Sequence, residues 1–157
     1  MNALVVTLIL GTATPGGGFP VYGDAFADMV NAQDPTLAIK TQNTKGSAEN
    51  VPLLEAGKLD LALVAGEIAT AALATPDTRL RIVTAMYSSP GMFVVRGDSA
   101  VRAIADLKGQ SVVLGAQGSG LTVMGRGVLE VLGIEVKPIY LEKAADGPAM
   151  VRDGRAA

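Results

Sequence analysis

The 157-residue chain has no cysteine, no histidine and no tryptophan, and only 4% of its residues are aromatic. Without Cys or His there is no thiolate nucleophile, imidazole base, zinc-finger ligand set or serine–histidine triad. Any catalysis would have to run on carboxylates, hydroxyls, lysine or a cofactor. The formal net charge is −2, with both signs scattered along the chain. Together with the scarcity of aromatics, this speaks against a nucleic-acid surface. No apolar run approaches the length needed to cross a bilayer. The opening MNALVVTLIL lacks a basic segment and runs straight into a glycine loop, so it reads as a first strand with Met1 a start residue placed before a mature sequence. The absence of cysteine is compatible with an extracytoplasmic location.

Hydrophobic residues make up 49% of the chain, ample for one ordinary domain or two very small ones. Strand-length apolar runs recur at Leu4–Leu10, Leu37–Thr41, Asp60–Val64, Leu80–Met86, Met92–Arg96, Ser111–Gly115 and Val136–Leu141. Between them, helical spacing predicts helices starting near Pro20 and Ser47, from Glu67 to Ala74, from Val101 to Leu107 and from Leu121 to Leu132. Gly57, Gly109 and Gly133 stand where glycine commonly ends a helix. Strand and helix alternate throughout, which predicts an α/β architecture with a mostly parallel sheet.

The chain also repeats itself. VTLILGTATPGGGFPVYGDAFADMVN followed by LAIKTQNTKGSAENVPLLEAGKLDLALV matches SVVLGAQGSGLTVMGRGVLEVLG followed by VKPIYLEKAADGPAMVRDGRAA. Each half reads strand, glycine-rich turn, helix, strand, polar turn, helix, glycine stop. Aligning Gly57 with Gly154 sets Asp60 opposite Ala157, so the second copy is expected to stop partway through its structural unit. A sheet lacking a strand leaves an unpaired edge, for which a covering partner or domain swapping is expected.

A glycine turn between a strand and a helix brings backbone close to the helix N-terminus, where orphan amides and the helix dipole favour an anion. Thr12–Gly18, Thr44–Ser47 and Gln117–Gly120 are three such places, all beyond the carboxyl ends of predicted strands. Each also has a plainer reading: a glycine turn can be only a tight connection, and Thr44 and Ser47 suit helix caps. Nucleotide motifs fit poorly. Gly11 to Gly16 lacks the lysine of a phosphate-binding loop, and GAQGSG at 115–120, although followed by Glu142 after the next strand, has the wrong glycine spacing for a dinucleotide fingerprint.

GTATPGGGFPVYGDAFADMVN, TKGSAENVPLLEAGKLDLALVAGE and ADLKGQSVVLGAQGSG together resemble the TAXI class of solute-binding proteins of tripartite ATP-independent periplasmic (TRAP) transporters, over nearly the whole chain. The family's aromatic pair after the glycine loop finds Phe19 and Tyr22, and its Gly-Ser, two-residue spacer, Asn pattern finds Gly46, Ser47 and Asn50. The resemblance implies a non-enzymatic, extracytoplasmic receptor without cofactor. Its fold would be type II periplasmic-binding-protein-like, with two α/β lobes that here lack the C-terminal half completing them. The first lobe would be residues 1–87, the crossover 88–96 and the incomplete second lobe 97–157. Such a receptor closes on a small organic acid or an amino acid such as glutamate and delivers it to TRAP permease subunits.

The binding residues so implied are Thr12, Thr14, Gly17, Gly18, Phe19 and Tyr22 from the first loop, Ser47 and Asn50 from the second, and Gly66 and Glu67 from the third. Ser88 and Ser89 would join at the crossover, and Gln117, Ser119, Gly120 and Thr122 would come from the second lobe. Glu67 would face an ammonium group if the ligand is an amino acid. It equally suits a helix N-terminus, and Phe19 and Tyr22 equally suit a core or a hydrophobic staple. Two other readings remain. The same fold could serve an ABC importer with a sulfonate, nitrate or pyrimidine-like ligand, or the Gly115–Gly120 loop with Glu142 could belong to a nucleotide-dependent enzyme.

Overall fold

The first apolar run, β-branched and leucine-rich, folds as strand β1 (Val6–Gly11) and is followed by helix α1 (Gly18–Gln33). Strand β2 (Leu37–Gln42), helix α2 (Ser47–Glu55), strand β3 (Leu61–Ala62) and helix α3 (Gly66–Leu73) follow in alternation. After a 3-10 turn at Ile104–Leu107 come strand β4 (Ser111–Val113), helix α4 (Gly120–Val131), strand β5 (Lys137–Ile139) and helix α5 (Asp146–Arg152). The structure is a computed structural model and describes residues 4–88, 91–143 and 145–157. The described chain divides into two compact units, Met1–Thr84 and Ala85–Ala157.

In the first unit the sheet order is β2-β1-β3 and both pairings are parallel. β1 therefore lies in the middle, and its last residues, Leu10 and Gly11, are buried. Leu10, Ala27, Ile39, Leu59 and Leu63 form the unit's buried apolar set. In the second unit β4 and β5 pair in parallel, and Leu107, Val112, Leu114 and Leu129 form its core. Within each sheet the pairings are parallel, and the paired strands are connected through helices, as the alternating sequence pattern predicts.

Backbone pairing runs past the short strand bounds. Asp60 N–H donates to Ile9 O at 3.1 Å and Leu63 N–H to Gly11 O at 2.9 Å, so β3 follows β1 over most of the expected Asp60–Val64. The repeat is visible in the same bonds: Ala157 N–H donates to Ser111 O of β4 at 2.9 Å, as Asp60 N–H does to β1.

Three expectations need correction. No strand forms in the runs at Leu80–Met86 and Met92–Arg96, where Ile82, Val83, Met92 and Val94 are 66–82% exposed. Apolar β-branched composition favours a strand without deciding that one forms. The predicted helix Val101–Leu107 is only the 3-10 turn, because Asp106 accepts hydrogen bonds from the Arg102 and Ala103 amides and fixes a single tight turn.

Two side chains finish the first sheet where backbone does not. Asn31 of α1 binds the outward-facing peptide of Ile39 in edge strand β2 at both ends, donating to its O at 3.0 Å and accepting from its N–H at 2.7 Å. Asp60 accepts from Ile9 N–H at 2.8 Å where β3 has not yet begun.

Candidate functional site

Because β1, β2 and β3 are parallel, their carboxyl ends share one edge of the sheet, and each leads into a helix that starts there. The residues preceding the three helices are Gly17, Gly46 and Ala65, and none of these N-termini has a side-chain cap. First-turn amides have no intrahelical partner, so this edge gathers three sets of N–H donors and three positive dipole ends. Gly46 holds φ +111°, a conformation open to glycine but costly for side chains, and so directs the chain from β2 into α2.

Behind this edge lies a buried polar cluster. Thr12, Ser47 and Asn50 are each 0% exposed. Asn50 Nδ2 donates to Thr12 O and to Leu63 O, both at 2.8 Å. Thr44 Oγ1 donates to Thr12 O at 3.2 Å and accepts from Gly46 N–H at 3.0 Å. Thr12 Oγ1 lies 3.1 Å from Gln42 O and 3.3 Å from Asn43 Oδ1, and Ser47 Oγ accepts from Ala65 N–H at 3.0 Å. The three loops that follow the three strands are thus tied together by side chains.

The structure accordingly brings Thr12, Ser47 and Asn50 together, with the Thr12 hydroxyl, the Ser47 hydroxyl and the Asn50 Nδ2 group directed at neighbouring backbone. Thr14 is half-buried, and its carbonyl accepts from Gly17 N–H at 3.1 Å. Gly18, Gly66 and Glu67 are exposed in the first turns of α1 and α3, and Gly17 is half-buried at the head of α1. Phe19 is half-buried in the first turn of α1, and Tyr22 stacks on Phe26 one turn along, with ring centroids 6.5 Å apart. Ser88 is exposed, and Ser89 lies outside the described residues.

In the second unit the corresponding loop is closed differently. Ser119 caps α4, its Oγ accepting from Thr122 N–H at 3.2 Å. Thr122 is buried, with Oγ1 within 2.8 Å of Leu114 O and 2.6 Å of Ala116 O. Gln117 is exposed and Gly120 half-buried. Glu142 lies beside this loop, since Leu141 N–H donates to Gly115 O at 2.9 Å. It rims a hollow of about 370 Å³ shared with Tyr140, Asp146, Met150 and Arg155.

Sequence reasoning missed Asn43, Asn31 and the structural use of Asp60. Asn43 sits in a polar loop of similar residues, and nothing in its spacing singles it out. Asn31 and Asp60 act on strand backbone, which no residue pattern announces.

An open parallel sheet with helices rising from its carboxyl edge, followed by a second β-α-β-α unit, defines an α/β fold of the type II periplasmic-binding-protein-like kind. A model of the NMT1-like family matches residues 10–157, and the chain belongs to that family. The alkanesulfonate-binding protein SsuA from Xanthomonas axonopodis pv. citri, bound to MOPS, is similar at 19% identity and TM-score 0.59, over 99% of this chain and 54% of that one. The periplasmic aliphatic sulphonate binding protein SsuA from Escherichia coli is similar at 19% identity and TM-score 0.53, over 96% and 52%. The effector binding domain of QuiR in complex with shikimate gives 15% identity and TM-score 0.54, over 97% and 71%. The chain spans about half the length of the two sulfonate-binding proteins.

Among the described residues, no helix is long and apolar enough to cross a membrane.

Proposed function

We propose that the protein is an extracytoplasmic solute-binding receptor for a small organic anion, serving a membrane importer. The observation that carries this reading is the carboxyl edge of the first unit, where three uncapped helix N-termini follow three parallel strands. Such an edge suits a carboxylate or sulfonate. The ligands of two similar proteins support it: MOPS carries a sulfonate and shikimate a carboxylate. In the first unit the contacts would come from the amides of Gly18, Phe19 and Gly66 and from Thr14. The two units would be the receptor's two lobes, and the protein would carry out no chemistry on its ligand.

The residue pattern shared with TAXI proteins points to a TRAP permease and an amino acid such as glutamate. The likeness to two sulfonate-binding proteins favours the second reading, an ABC importer with an alkanesulfonate ligand. The test is a thermal-shift screen of the protein against L-glutamate, dicarboxylates, ethanesulfonate, MOPS and NADH. A ligand at a hundredfold its Kd adds about 2.7 kcal/mol. Stabilisation by a carboxylate or sulfonate supports the receptor, and the better of the two classes chooses between the readings. Stabilisation by NADH alone contradicts both.

A further inference from the structure

We propose that Asn50 is a positioning residue that makes the carboxyl edge of the first unit receptive to anions rather than to ammonium groups, by holding the Thr12 and Leu63 carbonyls and without touching the ligand. The inference rests on the receptor reading above. It starts from where the strand-end carbonyls go. Thr12 O accepts from both Asn50 Nδ2 and Thr44 Oγ1, and Leu63 O accepts from Asn50 Nδ2. Gln42 O takes Thr12 N–H at 2.9 Å and its hydroxyl at 3.1 Å, and Gly11 O takes Leu63 N–H at 2.9 Å. Carbonyl oxygens at the ends of all three strands are therefore engaged inside the protein.

A backbone edge offers two kinds of group, and they select opposite ligands. Carbonyl oxygens recruit ammonium groups and metal cations, whereas amides recruit carboxylates and sulfonates. With these strand-end carbonyls engaged, they are withdrawn from a ligand, whereas the first-turn N–H groups are not. Asn50 engages two of these carbonyls with one side chain, because a primary amide has two hydrogens and each goes to a different loop.

A second observation separates this role from plain packing. Asn50 Oδ1 is buried without a hydrogen-bond partner among the described residues. An orphaned buried acceptor is destabilising, and an apolar side chain of similar volume would avoid it. The gain from an asparagine here lies in its two donors, and those donors act on Thr12 and Leu63. In the second unit a smaller group stands in a comparable place, Thr122 Oγ1 lying against Leu114 O and Ala116 O from the first turn of α4, where its single hydrogen serves one of the two.

The test is calorimetric titration of the protein with ethanesulfonate and with taurine, which adds an ammonium to the same sulfonate, for wild type, Asn50→Leu and Thr44→Val. Asn50→Leu keeps the number and branching of the side-chain heavy atoms and deletes both donors. The expected result is about a tenfold loss of ethanesulfonate affinity with a smaller loss for taurine, because Leu63 O, left without its side-chain donor, accepts the taurine ammonium. Thr44→Val should move the ratio of the two affinities the same way by less, and it carries the test alone if Asn50→Leu does not fold. Equal losses for both ligands, or no loss, overturn the proposal.

If wild type binds neither compound, the receptor reading fails for sulfonates, and amide NMR of Asn50→Leu, or of Thr44→Val, then decides the positioning role. Shifts at Ala13 and Val64 together with those in α2 support it. Shifts confined to α2 overturn it.

Discussion

Gly11 and Asn50 meet so closely that a Cβ added to Gly11 would stand 3.0 Å from Asn50 Oδ1, and only 2.5 Å from Leu59 Cδ1. Leu59 is 3% exposed and has little room to retreat. Gly11→Ala should therefore destabilise the protein by about 1–3 kcal/mol, the usual range for overpacking. Denaturant unfolding checks this, with Gly66→Ala as the control. A Cβ at Gly66 meets nothing within 4 Å, so that variant should stay within about 0.5 kcal/mol of wild type.

The Asn31 amide occupies the outer edge of β2 at Ile39 through both of its polar atoms. Asn31→Ala should cost about 1–2 kcal/mol for the two bonds. It also reopens an edge that can pair with another chain. Faster exchange of the Ile39 amide and a greater tendency to self-associate, read by hydrogen exchange and light scattering, are the expected signs.

Ser119 is the side-chain cap of α4. Ser119→Ala should cost about 1 kcal/mol, while Ser119→Asp, which keeps an acceptor at the cap, should cost little. If Ser119 also contacts the ligand, as the resemblance implies, Ser119→Asp will weaken anion binding although stability is kept. Comparing unfolding with ligand titration on the same two variants separates the two roles.

Three carboxyls are held below their ordinary pKa. Asp34 is lowered by hydrogen bonds from the Thr36 hydroxyl and amide, Asp98 by its bond to Arg96, and Asp106 by the amides of Arg102 and Ala103. A depressed folded pKa means a contribution that is complete above the unfolded value, about 3.9 for Asp, and disappears as pH falls through the lower folded values. Stability should accordingly be insensitive to these groups at neutral pH and decline in acid below about pH 4. Asp106→Asn should flatten part of that decline in pH-dependent unfolding. Retention of the whole decline would show that Asp106 contributes nothing to it.

The sequence was most legible where structure depends on neighbours along the chain. Glycine stops, helical spacing and the internal repeat located both β-α-β-α units, and the Asp60 and Ala157 amides both pair with the first strand of their unit. Legibility failed at 80–86 and 92–96 because apolar composition alone does not decide whether a run joins a sheet. At the candidate site, residue type marked Thr12, Ser47 and Asn50 as polar and special without telling which way they face. All three are fully buried, with the two hydroxyls and the Asn50 Nδ2 group bound to backbone of other loops. Asn31 was illegible altogether, since its partner is the peptide of Ile39 rather than any side chain.

The central claim is that the carboxyl edge of the first unit binds an organic anion through backbone amides. The most direct measurement is a titration of the protein with ethanesulfonate, and in parallel with L-glutamate, followed by amide NMR. The account predicts concerted, saturable shifts of the Gly18, Phe19, Ser47, Ala48, Gly66 and Glu67 amides with one of the two ligands. Saturable binding that leaves these three helix starts unmoved, or no binding of either anion, would contradict it.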